Sequence, residues 1–330
     1  MHARSYIPKT LRAGAPLVVV LHGCTQTASG YDRSAGWSSA ADAHGFALLF
    51  PEQQRANNPN LCFNWFSPED ARRQSGEALS IRQMIAAMHA RHGTDSNRVF
   101  VTGLSAGGAM AAVMLATYPD VFAGGAIIAG LPYGTARSVP EAFDRMRGQG
   151  NAAPDALAAL VRSASGHKGP WPILSVWQGT KDTTVDPANA QAIVDQWRIV
   201  HNAPQVPSRV ETVNGNAHRV WRDANGRDVI EEYLISGMGH GTPLSTSAPG
   251  ETEGPFMLEA GISSTRETLK FWGIEDRMEG SDLPSTHLVQ AETPRSDEPA
   301  PSVSSFSGRA TSNGVQKTID EALRAAGLLR

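Results

Sequence analysis

From Val99 to Met114 the chain reads VFVTGLSAGGAMAAVM, with Gly103, Gly107 and Gly108 crowded around Ser105. Glycine in a helix interior costs about 1 kcal/mol relative to alanine, so this stretch is a poor single helix. It reads instead as a strand, RVFVTG, turning sharply into a helix, AGGAMAAVM. Gly103-Leu104-Ser105-Ala106-Gly107 is then a G-x-S-x-G turn in the context it requires, with a strand before and a helix after. Gly103 and Gly107 keep side chains out of the tight turn, and Gly108 and Ala109 let the helix approach the sheet. The helix N-terminus directs its free N–H groups at the serine. The bland alternative is a glycine-rich turn carrying a bystander serine.

Such a turn needs a strand–helix alternation around it, and the sequence supplies one. Strands are expected at 16–23, 46–52, 98–103, 122–130 and 171–179, with helix-length segments between them. That pattern implies an α/β architecture, a mostly parallel sheet with helices on both faces. Two Asn-Gly dipeptides, at 214–215 and 225–226, predict strands joined by tight turns that end in the run 229–235. A helix in STRETLKFWG follows. Beyond about Arg277 the chain becomes rich in Ser, Pro, Thr and acidic residues, which bury too little surface to offset ordering entropy. The expected organisation is a catalytic domain over 1–277, a linker over 278–313 and a helix over 314–330. A formal charge of −3 gives no basic footprint for nucleic acid. No apolar run reaches the roughly 18 residues of a membrane helix, and the N-terminus shows no signal peptide.

A serine on such a turn needs a base and an acid, in the chain order Ser, Asp or Glu, His. The strand at 171–179 is followed by TKDTTVDP, which offers Asp182 and Asp186. Asp182 lies closer to the strand end and is favoured; Asp186 precedes Pro187, where it would cap the next helix. After the final strand comes SGMGHGTPL, with His240 between two glycines. The other histidines fall on helices, in polar turns or, for His22, at a strand end. The expected chemistry is acyl transfer: His240 takes the Ser105 proton and Asp182 fixes the imidazole. The oxyanion donors are expected to be the backbone N–H groups of Ala106 and Cys24. Trp65, Phe66, Tyr133 and Trp177 sit beside these motifs. Trp65 and Tyr133 are candidate substrate contacts, and Trp177, inside a strand, reads as core. Glu77 reads as a first-turn charge on its helix.

Together LHGCTQ, FPEQ with NLCFNWF, RVFVTGLSAGGAM, YPDVFAGGAIIAGLPYG, GTKDTTV and GMGHGTP resemble the polyhydroxybutyrate depolymerase-like esterases. These are α/β-hydrolases related to feruloyl and acetylxylan esterases. The resemblance runs from about Pro16 to Trp272. It implies a secreted or periplasmic serine esterase without metal or cofactor, with Ser105, Asp182 and His240 as its triad. It also implies a disulfide between Cys24 and Cys62; two free buried thiols are the alternative. The implied substrates are short 3-hydroxyacid esters or their polymers. Feruloyl or acetyl esters, amide bonds of a poly(aspartic acid)-type polyanion, and binding without turnover are the alternatives. Scattered arginines such as Arg72 and Arg73 offer little for a polyanion. Only about fifteen residues precede Pro16, which predicts either a shortened gene product or a sheet edge left open.

Overall fold

Leu17, Val18, Val19, Val20 and Leu21 are all buried, the mark of a strand covered on both faces. The computed structural model describes residues 1–274, and the linker and helix expected at 278–313 and 314–330 lie outside the described residues. In chain order the elements are β1 (His2–Tyr6), β2 (Leu17–Leu21), α1 (Ala28–Ala35), α2 (Trp37–His44), β3 (Ala47–Glu52), α3 (Gly76–His92), β4 (Val99–Leu104), α4 (Ala106–Thr117) and β5 (Gly124–Ile128). They continue with α5 (Val139–Met146), α6 (Pro154–Ser163), β6 (Ile173–Gly179), α7 (Ala188–Val200), β7 (Arg209–Val213), β8 (Asn216–Arg222), β9 (Asp228–Ile235), β10 (Thr242–Leu244), β11 (Met257–Glu259) and α8 (Ser264–Phe271).

Among the described residues, nine strands form one sheet in the order β1-β3-β2-β4-β5-β6-β9-β8-β7. The six central strands are parallel, and β1, β8 and β7 run antiparallel to their neighbours. Alternate residues of β2 enter two separate cores. Leu17, Val19 and Leu21 belong to the core that also takes in residues of α3, α4, α6 and α7, whereas Val18 and Val20 belong to the core that takes in residues of α1, α2 and α8. The α4 helix is buried along its whole length, so it is the interior helix on its face.

Three details differ from the sequence reading. The open sheet edge, one of the two alternatives the short N-terminal stretch raised, is not left beside β3: β1 pairs with it, from His2 against Glu52 to Tyr6 against Leu48. Four of the five β1 residues are exposed, which removed the hydrophobic signal. The single helix expected before β3 is two, α1 and α2, broken at Gly36 with φ of 70°. The small parallel pair β10–β11 was not expected, because strands of three residues carry no periodicity.

The antiparallel end of the sheet holds an ionisable cluster in which His218 and Glu231 are buried and Glu211 is exposed. His218 of β8 lies between Glu211 of β7, at 2.9 Å, and Glu231 of β9, at 3.1 Å. Its ring stacks on Tyr233, which stacks in turn on Trp177. Burial pulls the imidazole down, but hydrogen bonds and charge from Glu231 and Glu211 outweigh it, and the net shift is upward. A base whose folded value is raised contributes stability that is complete below the ordinary pKa of about 6.5 and is lost as pH rises through the folded value. The thermal midpoint of wild type should therefore fall between pH 6 and pH 9 by more than that of His218→Gln. Parallel curves for the two proteins would remove His218 as the cause.

Candidate active site

Ser105 occupies the junction between β4 and α4 with φ of 58° and ψ of −118°. A non-glycine residue there is strained, at a cost of order 1–3 kcal/mol that the surroundings must hold. They do so from both sides. Ser105 N–H donates to Ile128 O at 2.9 Å, and its carbonyl accepts from Ala109 N at 2.8 Å. A Cβ on Gly107 would collide with the carbonyls of Leu21 and His22, and one on Gly103 would collide with Gly107 itself. The glycines therefore allow α4 to enter against the ends of β2 and β4.

The parallel strands deliver the other groups from their C-terminal ends. After β6 the chain turns into Asp182, whose side chain is fully buried. Its Oδ1 accepts the N–H groups of Thr184 and Val185 at 2.8 and 2.9 Å. Its Oδ2 accepts from Gln178 Nε2 at 3.0 Å and from His240 Nδ1 at 2.7 Å. Four donors thus saturate the carboxylate and set the direction it offers the imidazole. Asp186 does something else: its Oδ1 accepts Ala188 N–H at 2.9 Å at the start of α7.

His240 follows β9, in a loop stitched to the Asp182 loop. Lys181 N–H donates to Met238 O, Thr180 N–H to Ile235 O, and Gly237 N–H to Thr180 Oγ1. Gly179 makes this approach possible, since a Cβ there would strike the carbonyls of Met238 and Gly239. Sequence reasoning passed over it, although a glycine closing a strand just before an acid loop is a readable signal. Beyond His240, β10 pairs with β11, and the Phe256 ring meets the imidazole edge-on at 6.1 Å.

Cys24 follows β2 and is joined to Cys62 by a disulfide, with Cα atoms 4.2 Å apart. The bond ties the turn after β2 to the long loop between β3 and α3. A cavity of about 60 Å³ opens where Cys24, Ser105 and Ala106 meet. One water needs only about 10–15 Å³, so the space fits a short chain of heavy atoms. Trp65 and Phe66 form one wall, and Val139, Ala142, Phe143 and Met146 of α5 form the other. The α5 residues recur at helical spacing, so one face of that helix fronts the cavity. Sequence reasoning missed this wall. Tyr133 does not line the cavity; its backbone is held on both sides by the Gln196 side chain. Trp177 is fully buried in the sheet.

Glu77 lies in the first turn of α3, as its position suggested, but its side chain is buried among polar partners. It is 4% exposed, and its carboxylate accepts from Gln53 Nε2, Asn64 Nδ2 and Asn64 N. Burial pushes it up to about 7, against the downward pull of the bonds from Asn64 and Gln53. Asp70 adds to the rise, and the Met1 amine opposes it.

Comparison with known proteins gives this site a context. A family model described as "Esterase PHB depolymerase" matches residues 3–204. Poly(3-hydroxyalkanoate) depolymerase C of Paucimonas lemoignei is 47% identical over 273 residues, covering 82% of this chain. The alignment spans 66% of that relative's own length. Feruloyl esterase B of Talaromyces stipitatus is 30% identical over 251 residues, covering 73% of this chain and 68% of its own. The acetyl xylan esterase structure from Aspergillus awamori superposes with a TM-score of 0.68 at 23% identity, over 82% of this chain and 93% of that one. That likeness establishes the α/β-hydrolase fold.

The disulfide closes a loop with a sequence separation of 38 residues. In the chain-entropy model such a link is worth about 4 kcal/mol. Cys24→Ala and Cys62→Ala should lower stability by comparable amounts, and reduction of wild type should match them. Urea titrations with and without reductant read this directly. A wild-type protein whose midpoint is insensitive to complete reduction would contradict it.

Proposed function

The chain belongs to the esterase PHB depolymerase family, and we propose that it is a serine carboxylic ester hydrolase acting through Ser105, His240 and Asp182. The observation that carries this reading is the 2.7 Å bond from His240 Nδ1 to a buried, donor-saturated Asp182, with Ser105 on a strained turn beside an apolar cavity. Asp182 holds the Nδ1–H tautomer, which leaves Nε2 as the base. As Ser105 Oγ attacks the ester carbonyl, its proton passes to Nε2. The new C–O bond places negative charge on the carbonyl oxygen, which the N–H groups of Cys24 and Ala106 receive. Collapse expels the alcohol, which takes the proton from the imidazolium and leaves an acyl-enzyme. Water, deprotonated by the same nitrogen, releases the acid and restores the serine.

For the acyl group we favour short 3-hydroxyacids, presented as small esters or as polyester. Support comes from the depolymerase relative and from a cavity of limited volume lined by Trp65, Phe66 and α5. Trp65 is the substrate contact; Tyr133 is not assigned one. A polyanion is disfavoured, because Arg72 pairs with Glu69 and Arg73 with Asp120, away from an apolar cavity. The Cys24–Cys62 bond favours an oxidising compartment, periplasmic or extracellular. Among the described residues no helix is long and apolar enough to cross a membrane.

Ser105→Ala, His240→Ala and Asp182→Asn should each lower kcat on p-nitrophenyl butyrate by roughly 10⁴-fold. Asp186→Asn should stay close to wild type. Collapse of Asp186→Asn with a healthy Asp182→Asn would reverse the assignment of the acid. A panel of p-nitrophenyl acetate and butyrate, methyl ferulate and polyhydroxybutyrate film tests the substrate. Preference for the ferulate would favour the feruloyl esterase relatives over the depolymerase.

A further inference from the structure

The donor assigned to Cys24 is one end of the Gly23–Cys24 peptide. A peptide unit is planar and trans, so fixing the Gly23 carbonyl fixes the direction of the Cys24 N–H. The structure fixes that carbonyl with a buried side chain. His22 Nδ1 lies 2.8 Å from Gly23 O, and His22 Nε2 accepts the Gln53 N–H at 3.1 Å. Since Nε2 accepts, Nδ1 carries the proton and donates to Gly23 O. Burial lowers the His22 pKa, in keeping with a neutral ring that donates at one nitrogen and accepts at the other.

Gln53 is itself held from α3. Its side-chain amide donates to Glu77 Oε1 and, at 3.2 Å, to Cys62 O. The other Glu77 bonds go to Asn64, whose Oδ1 accepts from Asn58 Nδ2 at 2.9 Å. Asn58 Oδ1 in turn accepts from Asn60 N, and Asn60 O accepts from Thr25 N at 2.8 Å. One arm from Glu77 therefore reaches Gly23 through Gln53 and His22. A second reaches Thr25 through Asn64, Asn58 and Asn60. Cys24 stands between the two ends, bridged to Cys62.

We infer that Glu77, Gln53 and His22 form a buried relay that aims the Cys24 N–H at the oxyanion, making Glu77 and His22 positioning residues for ester hydrolysis. The inference rests on the hydrolase reading given above. All three groups that reach the Glu77 carboxylate are donors, so only an acceptor on both oxygens satisfies them. Glutamine at this position would turn an NH₂ toward a donor and break one arm. Phenylalanine at position 22 would keep a ring against Phe63, which the imidazole meets at 5.0 Å, but would remove both bonds.

Removal of an oxyanion donor lowers kcat by roughly 10²–10³-fold, and a misaimed donor should lose part of that. Glu77→Gln and His22→Phe should each lower kcat on p-nitrophenyl butyrate by roughly tenfold to hundredfold, with KM changed by less than about threefold. The double variant should lose about as much as either alone, because the two act in one chain. Circular dichroism and thermal midpoints establish which variants fold; if Glu77→Gln does not, His22→Phe decides. Folded variants with wild-type kcat would overturn the relay, as would equal losses carried by KM. The hydrolase reading is judged separately, by whether wild-type turnover disappears in Ser105→Ala. If it does not disappear, that reading fails; if it does and the relay variants remain fast, only the relay fails.

Discussion

The backbone of Ser105 is held where a side-chain-bearing residue does not rest of its own accord, and most of the architecture around it serves that restraint. A φ of 58° survives because the residue is gripped between β5, through Ile128 O, and the first turn of α4, through Ala109 N. The grip requires α4 to lie against the ends of β2 and β4, which only Gly103 and Gly107 permit. It also requires α4 to be fully buried, because a solvent-facing helix could relax outward. The Ala- and Gly-rich composition of α4 thus follows from geometry at its N-terminus. Helix propensity would have favoured fewer glycines.

Much of this was legible in the sequence, and the reason is periodicity. β2, β4, β5 and β6 are buried on both faces, so each announces itself as an unbroken apolar run. The Asn214-Gly215 turn, with φ of 48° and 81°, is the pairing that positive-φ hairpins demand. The contrast between Asp182 and Asp186 was also readable, because proline after Asp186 marks a helix start, and the structure gives that residue to Ala188 N. What escaped was structure without a local pattern. β1 is exposed, β10 and β11 are three residues long, and α5 shows its role only when the chain is folded over the cavity.

Glu77 escaped for a different reason. A glutamate at the second position of a helix has a sufficient local explanation, and nothing within a few residues contradicts it. Its partners, Gln53 and Asn64, lie 24 and 13 residues away in an irregular loop. Asp182 is a buried carboxylate of the same kind, held by four donors, and the sequence singles it out because chain order and strand ends lead to the expectation of an acid there. Burying a charge is costly unless donors surround it. Both sites meet that condition, and each ends on a histidine ring: Asp182 on His240 directly, Glu77 on His22 through Gln53.

The two halves of the site are therefore built to different tolerances. Ser105, the Asp182–His240 pair and the turn at Cys24 are set by strand ends, close backbone contacts and hydrogen-bonded buried polar groups. One wall of the cavity is α5, a helix of eight residues tied down at its C-terminal end by Asp186 N–H to Met146 O and by the Asn189 amide to Arg145 O. Those bonds anchor the wall to the start of α7, which lies just beyond the Asp182 loop. Phe143 and Met146 line the cavity from α5, and their side chains take no part in the bonds that hold Asp182, His240 or Glu77. The two halves rest on different elements: the first on strand ends and the loops that follow them, the second on a short helix facing Trp65 and Phe66.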